Sequence, residues 1–142
     1  MKTDQKKSID LRVSRTINAT PEAVFDMWLD ATSPGGPWFG AARVIVNPVV
    51  DGLFYSAIEH EGRTYPHYGR FVRLERGRLI EHTWVSEGTR GWETVVSISL
   101  EPRGSKTELT LRHTGVPDDD EGRKHEEGWS WVVSQIAEKF AS

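Results

Sequence analysis

Histidine is the residue type in this sequence that could move a proton near neutral pH, because its side chain titrates at about pH 6.5. The chain has five histidines. Strand alternation places two of them, His82 and His113, on the predicted inner face of a sheet. Each is interpreted either as a general base or polar anchor for a ligand, or as a buried histidine bonded to a carbonyl or hydroxyl. The spacings His-x-x-x-His and His-Glu-x-x-His are absent, so no metal is expected.

Tryptophan is unusually frequent, with six among 142 residues. Trp84, Trp92 and Trp129 can all face the gap between the sheet and a C-terminal helix. There, flat rings could line a pocket for a planar or lipid-like ligand. The alternative is that this aromatic bulk simply fills the core. Trp38 and Phe39 follow a Pro-Gly-Gly-Pro loop and are expected to plug or gate one end of the fold.

Several other chemistries lack the residues they need. The absence of cysteine excludes disulfides, thiolate metal sites, iron–sulfur clusters and a cysteine nucleophile. A formal net charge of −3, with acids and bases interspersed, argues against nucleic-acid binding. There is no membrane-spanning apolar run and no signal-peptide pattern, so no membrane contact and a cytoplasmic location are expected. No nucleotide-binding or Gly-x-Ser-x-Gly motif and no pair of inward carboxylates occur, so neither a cofactor nor a catalytic constellation is predicted.

Seven runs with β-strand patterns would position these side chains. Apolar and polar residues alternate in the first run, and turn dipeptides such as Asp51-Gly52 separate the later ones. This pattern favours an antiparallel meander. Pro48 indicates an edge strand or a bulge, and a bulge near Gly69 could change which side chains face inward. The predicted strands are residues 9–17, 43–50, 54–59, 65–74, 79–85, 92–100 and 107–113.

Two helical regions accompany the strands. The tripeptide Thr-Pro-Glu at residues 20–22 predicts a helix start, and Trp28 is expected to pack this first helix onto the sheet. A second short helix could follow only around Trp38 and Phe39. Near the C-terminus a stripe at helical spacing predicts a long helix from Gly128 onward. Its members are Trp129, Val132, Val133, Ile136, Ala137 and Phe140.

The predicted inner face of the sheet mixes apolar and polar side chains. Polar groups on a buried face need partners, and a ligand can supply them. We therefore expect a cavity between sheet and C-terminal helix, in which the tryptophans supply apolar surface and His82 and His113 fix a polar end. The predicted ligand-binding residues are Ser56, His82, Trp84, Trp92, Thr94, His113, Trp129, Val133 and Ile136.

The order of a strand, short helices, a six-stranded meander and a long helix resembles the helix-grip fold of the START and birch-pollen-allergen superfamily. Within it, the chain is similar to the family of activators of heat-shock-protein-90 ATPase homologues. Five stretches carry the likeness: VSRTINATPEAVF (13–25), VDGLF (50–54), YGRF (68–71), LTLRHTG (109–115) and GW (128–129). The resemblance implies an α+β fold: a seven-stranded antiparallel curved sheet around the C-terminal helix, with two short helices after the first strand.

The expected function is non-enzymatic binding of a small hydrophobic or aromatic molecule. One alternative implied by the superfamily is a cyclase or hydrolase that uses His113 or His82 as its base. The other is an interaction module like the chaperone-ATPase activators, which should expose a contiguous apolar patch. We expect one domain over residues 1–142, ordered over about residues 9–141, as a monomer or as a homodimer through an exposed Trp131.

Overall fold

A seven-stranded antiparallel sheet and a long C-terminal helix form most of the protein. The computed structural model describes residues 7–32, 37–38 and 41–141. The elements are β1 (Ser8–Ile17), α1 (Pro21–Leu29), β2 (Arg43–Val46), β3 (Leu53–His60), β4 (Arg63–Glu75), β5 (Leu79–Ser86), a 3-10 turn (Glu87–Thr89), β6 (Thr94–Arg103), β7 (Lys106–Pro117) and α2 (Asp120–Lys139). The strands lie side by side in the order β1-β7-β6-β5-β4-β3-β2, which confirms the predicted sheet.

The core lies between the inner face of the sheet and one side of α2. Val133 and Ile136 of α2 are buried in the same cluster as Leu109 and Leu111 of β7. These residues alternate along β7 and recur at helical spacing along α2, so the two periodic patterns meet face to face. No helix in the described ranges is long and apolar enough to cross a membrane. The cytoplasmic location stays a prediction.

Helix α1 begins where the Thr-Pro-Glu tripeptide predicts. The Thr20 hydroxyl accepts a hydrogen bond from the Ala23 N–H at 3.3 Å, and Pro21 occupies the first helical position. There its missing N–H costs nothing. Trp28 is buried and stacks on Trp129 of α2 with ring centroids 6.5 Å apart, so it packs α1 into the core against α2. Its predicted packing onto the sheet stays a prediction.

The second short helix was predicted on a segment that is described only in part. Pro37 and Trp38 lie in a turn, and Phe39 lies outside the described residues. Trp38 is buried: its indole N–H donates to the Trp28 carbonyl at 2.6 Å, and its ring lies 4.9 Å from that of Phe54.

Strand β6 begins at Thr94, so the prediction that Trp92 lies on this strand is wrong. The chain after the 3-10 turn first passes through Arg90 and Gly91, both with positive φ. The Trp92 N–H then donates to the Thr89 carbonyl at 2.9 Å, which closes a loop instead of extending a strand. Trp92 is therefore partly exposed, with the Arg90 guanidinium 5.7 Å from its ring centroid.

Two other boundaries differ from the prediction for local reasons. Strand β2 ends at Val46, before Pro48, and it is an edge strand, as that proline indicates. Helix α2 begins at Asp120, eight residues before Gly128, because the Asp119 carboxylate caps it by accepting from the Gly122 N–H at 2.7 Å. The apolar stripe could not reveal these first two turns, which carry few apolar residues.

A register shift in β4 decides which of its side chains face inward. It lies between Phe71 and Arg73, slightly beyond the predicted position near Gly69. His67 and Phe71 face inward before the shift and Leu74 faces inward after it, because cross-strand partners share a face. The sequence left this choice open.

Two glycines of α2 offer a matched test of the packing. A Cβ at Gly122 would lie 1.9 Å from the Pro117 carbonyl oxygen, whereas a Cβ at Gly128 would meet nothing within 4 Å. We expect Gly122→Ala to lower the free energy of unfolding by about 2 kcal/mol or more, because β7 and α2 must separate. Gly128→Ala should raise it by up to about 1 kcal/mol, because alanine favours the helix. Urea denaturation measures both, and equal effects would contradict this packing.

Candidate functional site

A cavity of about 600 Å³ lies between strands β3 to β5 and the N-terminal half of α2. Its volume falls within the range of small-molecule sites, about 300–1,000 Å³. Trp131 and Ile58, which are 64% and 48% exposed, lie where the cavity meets solvent. Aromatic rings make up much of the wall: Trp28, Trp38, Tyr65, Trp84, Trp129 and Trp131.

Three of the predicted ligand-binding residues line this cavity. They are Ser56 on β3, Trp84 on β5 and Trp129 on α2. The rings of Trp84 and Trp129 meet edge to face, with centroids 4.9 Å apart. This contact joins the sheet wall to the helix wall of the cavity.

The other predicted residues lie elsewhere. Trp92 lies before β6, outside the cavity wall. His82, Thr94, His113, Val133 and Ile136 are buried in the core behind the wall and do not line the cavity.

His113 belongs to a buried chain of hydrogen bonds. The Trp129 indole N–H donates to His113 Nδ1 at 2.9 Å, so this nitrogen carries the lone pair. The proton is then on Nε2, which lies 2.7 Å from the Thr94 hydroxyl. Thr94 in turn donates to the Trp84 carbonyl at 2.6 Å. Every member of this chain has a partner, so the geometry gives His113 no free nitrogen with which to act as a base.

Burial keeps the core histidines neutral. Burial, together with the smaller effects of the neighbouring His125 and His82, lowers the pKa of His113 to about 2. It also lowers the pKa of His82 to about 4. His82 Nδ1 donates to the Thr83 carbonyl at 2.8 Å, and the ring packs edge-on against Phe54 and Phe71. Neither residue reaches the cavity, so the geometry does not support the in-cavity base predicted at these positions.

The polar part of the cavity wall is a row of three side chains on neighbouring strands. Ser56 lies opposite His67, and His67 lies opposite Ser86. All three line the cavity, and we call them the polar row. Burial lowers the pKa of His67, so this imidazole is neutral at pH 7. Sequence reasoning found Ser56 but missed His67, because its inward direction depends on the register between β4 and β5. It missed Ser86 because the predicted strand ended at residue 85, one residue before β5 ends.

Buried polar atoms without a partner concentrate in this wall. Within the described part of the chain there are five: Trp28 Nε1, His67 Nδ1, His82 Nε2, Trp84 Nε1 and Ser86 Oγ. Four of them belong to residues that line the cavity. Such groups are rare in folded proteins, and each one calls for an explanation.

Charged groups at the cavity mouth are paired. Glu87 binds Arg63, and Lys124 lies 3.2 Å from Glu121. His125 is also part of the wall, and its Nδ1 lies 3.0 Å from the Gly122 carbonyl. Because a carbonyl only accepts, Nδ1 carries the proton in this contact.

Comparison with known proteins identifies a family to which this chain is similar. A family model described as Activator of Hsp90 ATPase homolog 1-like protein matches residues 18–141. No curated protein matches.

Similar solved structures come from several organisms. One, from Chromobacterium violaceum, is 21% identical, has a TM-score of 0.78, and the match covers 92% of this chain and 96% of that one. An HSP90 activator from Plasmodium falciparum is 18% identical with a TM-score of 0.73, covering 89% and 92%. The Aha1 dimer from Colwellia psychrerythraea is 14% identical with a TM-score of 0.68, covering 93% and 96%. At these identities, the likeness shows the shared fold.

The buried histidines predict how stability depends on pH. Their pKa values in the folded protein, about 2 for His113 and about 4 for His82, lie below the ordinary value of 6.5. As the pH falls below about 6.5, the unfolded chain binds protons that the folded chain does not. We therefore expect the free energy of unfolding to be highest above this pH and to fall toward pH 4. Each histidine contributes up to about 1.4 kcal/mol per pH unit to the slope of this decrease.

Two substitutions separate titration from packing in that measurement. His113→Gln should reduce the slope near pH 5 by about 1.4 kcal/mol per pH unit, because one titrating group is lost. Thr94→Val removes a hydroxyl from the same chain but no titrating group, so stability should fall while the slope stays. Urea denaturation between pH 4.5 and 8 tests both, and an unchanged slope in His113→Gln would refute a neutral His113.

Proposed function

The chain belongs to the family of Activator of Hsp90 ATPase homolog 1-like proteins, and we propose that its cavity binds one small, flat, largely apolar molecule. The observation that carries this proposal is the cavity of about 600 Å³ walled by aromatic rings. Side chains normally fill a protein interior to crystal-like density. A space of this size beside a closely packed core therefore favours an occupant from outside.

The ring geometry of the wall suits a planar molecule. The ring centroid of Trp84 lies 5.8 Å from that of Phe54, in a stacked arrangement, and 5.0 Å from that of His67. Trp129 meets Trp84 edge to face across the same space. Aromatic pairs favour these offset and edge-to-face arrangements, and a flat ligand ring can extend them.

Binding can be tested with 1-anilinonaphthalene-8-sulfonate, an aromatic probe whose fluorescence rises in apolar surroundings. We expect saturable binding with one site per chain and quenching of tryptophan fluorescence. Ile58→Trp should weaken the probe's affinity about 10-fold or more, because the larger ring occupies the cavity mouth. The native mass spectrum of freshly purified protein would show in addition whether a molecule is already bound.

Ile45→Trp is the matched control for that substitution. Ile45 is an isoleucine on a strand with similar exposure, 54% against 48% for Ile58, but it does not line the cavity. The affinity of the Ile45→Trp variant for the probe should stay within about twofold of that of the unchanged protein. Equal weakening by both substitutions, or no saturable binding at all, would count against the proposal.

A second candidate role, self-association, is favoured by an exposed apolar patch on the outer face of the sheet. Ile45 lies opposite Tyr55 and Tyr55 lies opposite Tyr68, so these residues share that face with Leu53. Ile45, Leu53 and Tyr68 are each at least half exposed. Exposed patches of this kind mark interaction sites. The Aha1 relative from Colwellia psychrerythraea is a dimer, and we propose that a second copy of this chain is the partner.

Sedimentation velocity over about 10–200 μM tests this second role. We expect a concentration-dependent dimer that Tyr68→Lys converts to monomer, because a buried charge opposes the contact. Trp131→Lys is the control, since Trp131 is 64% exposed but lies at the cavity mouth. If only Trp131→Lys converts the dimer to monomer, the interface lies at the cavity mouth instead. A monomer throughout the range would exclude the role.

A further inference from the structure

The polar row is the least satisfied part of the cavity wall. Ser86 and His67 lie opposite each other on neighbouring strands. Their buried atoms Ser86 Oγ and His67 Nδ1 make no hydrogen bond of normal geometry within the described part of the chain, although the Thr89 backbone approaches the hydroxyl and the Ser56 and Tyr65 backbones approach the imidazole. Trp84 lies two positions before Ser86 on the same face of β5, and its Nε1 also lacks a partner. Three unpartnered polar groups are thus neighbours at one place in one cavity.

The chemistry of these atoms defines what could satisfy them. An indole N–H can only donate, so Trp84 requires an acceptor. A serine hydroxyl can donate as well as accept, and a neutral histidine can carry its proton on Nδ1. Each of the three groups can therefore donate a hydrogen bond to a ligand oxygen.

The charges around the cavity favour a neutral oxygen over a carboxylate. Among the described residues, Lys124 is the one lysine or arginine that lines the cavity, and it is paired with Glu121. Burying a carboxylate with no free cation beside it is costly. A carbonyl oxygen accepts the same hydrogen bonds without that cost.

We propose that the polar row and Trp84 bind the carbonyl oxygen of an aromatic ketone, quinone or related ligand, with the apolar rings of the ligand lying toward the cavity mouth. This inference rests on the proposed function, since it specifies the ligand of the same cavity. Among these groups Trp84 Nε1 tests the proposal most directly, because an indole N–H can only donate a hydrogen bond.

Neighbouring groups cover these donors. The rings of His67 and Trp84 lie 5.0 Å apart with an angle of 34° between their planes, so they face each other. In this arrangement the indole N–H does not point at His67 Nδ1, and both atoms remain without partners. Binding on this proposal therefore requires one of the two rings to turn, so that its donor reaches the ligand oxygen. The competing outcome is a direct Trp84–His67 hydrogen bond in solution, which would leave nothing for a ligand oxygen.

The test compares two probes of nearly the same shape. In 2-acetonaphthone the side chain carries a C=O group, and in 2-isopropenylnaphthalene a C=CH2 group takes its place. Affinities are measured by tryptophan quenching and checked by calorimetry on the full chain. Trp84→Phe and Ser86→Ala should each weaken the ketone by about 5- to 10-fold and leave the hydrocarbon within twofold, because one hydrogen bond is lost. In the control Trp92→Phe, outside the cavity wall, both affinities should stay unchanged.

The outcomes distinguish this inference from the function on which it rests. If neither probe binds, the proposed cavity function fails and the inference fails with it. If both bind and the substitutions change both affinities equally, the cavity function stands and carbonyl recognition is refuted. A third probe, 2-naphthoate, should bind at least 10-fold more weakly than the ketone, and tighter binding would refute the preference for a neutral oxygen. Selective loss of the ketone in the two variants supports the inference.

Discussion

The hydrogen-bond chain from Trp129 through His113 and Thr94 to the Trp84 carbonyl holds the site together. Each link joins a different element: α2 to β7, β7 to β6, and β6 to β5. A helix on a sheet is otherwise held by apolar packing, which has no fixed register. The chain of hydrogen bonds adds a directional constraint beside the cavity. It fixes the Trp129 ring and the Trp84 backbone, so the two tryptophans that meet across the cavity cannot shift independently.

Satisfied and unsatisfied polar groups are unevenly distributed in this interior: four of the five unpartnered buried atoms among the described residues belong to side chains that line the cavity. His113 and Thr94 have partners within the protein, and their burial stabilises a single arrangement. His67, Ser86 and Trp84 have atoms with no partner, although they are equally shielded from water. A folded protein tolerates such a loss where another molecule supplies the missing partner. The polar end of the proposed site is therefore the polar row, whereas sequence reasoning placed it at His82 and His113.

The sequence predicted most of the fold because its strands and α2 carry clear periodic patterns. Alternation alone placed His82, Trp84, Thr94 and His113 on the inner face, and the structure confirms that face. Alternation cannot show which buried side chain meets which, because partners such as His113 and Thr94 come from different strands. His67 was missed because a register shift in β4 removes its periodic signal, and Trp92 was misplaced because loop residues before β6 resemble a strand.

The position of the cavity follows from an asymmetry along α2. In the C-terminal half, Val133 and Ile136 fill the space above the sheet. Before Trp129, the α2 residues that face the same space are Glu121, Lys124, His125 and Gly128, and none of them carries a large apolar side chain. Gly122 brings the start of the helix close to Pro117. One end of the interface between α2 and the sheet is therefore packed, and the cavity lies at the other end, where α2 changes from an apolar to a polar sequence.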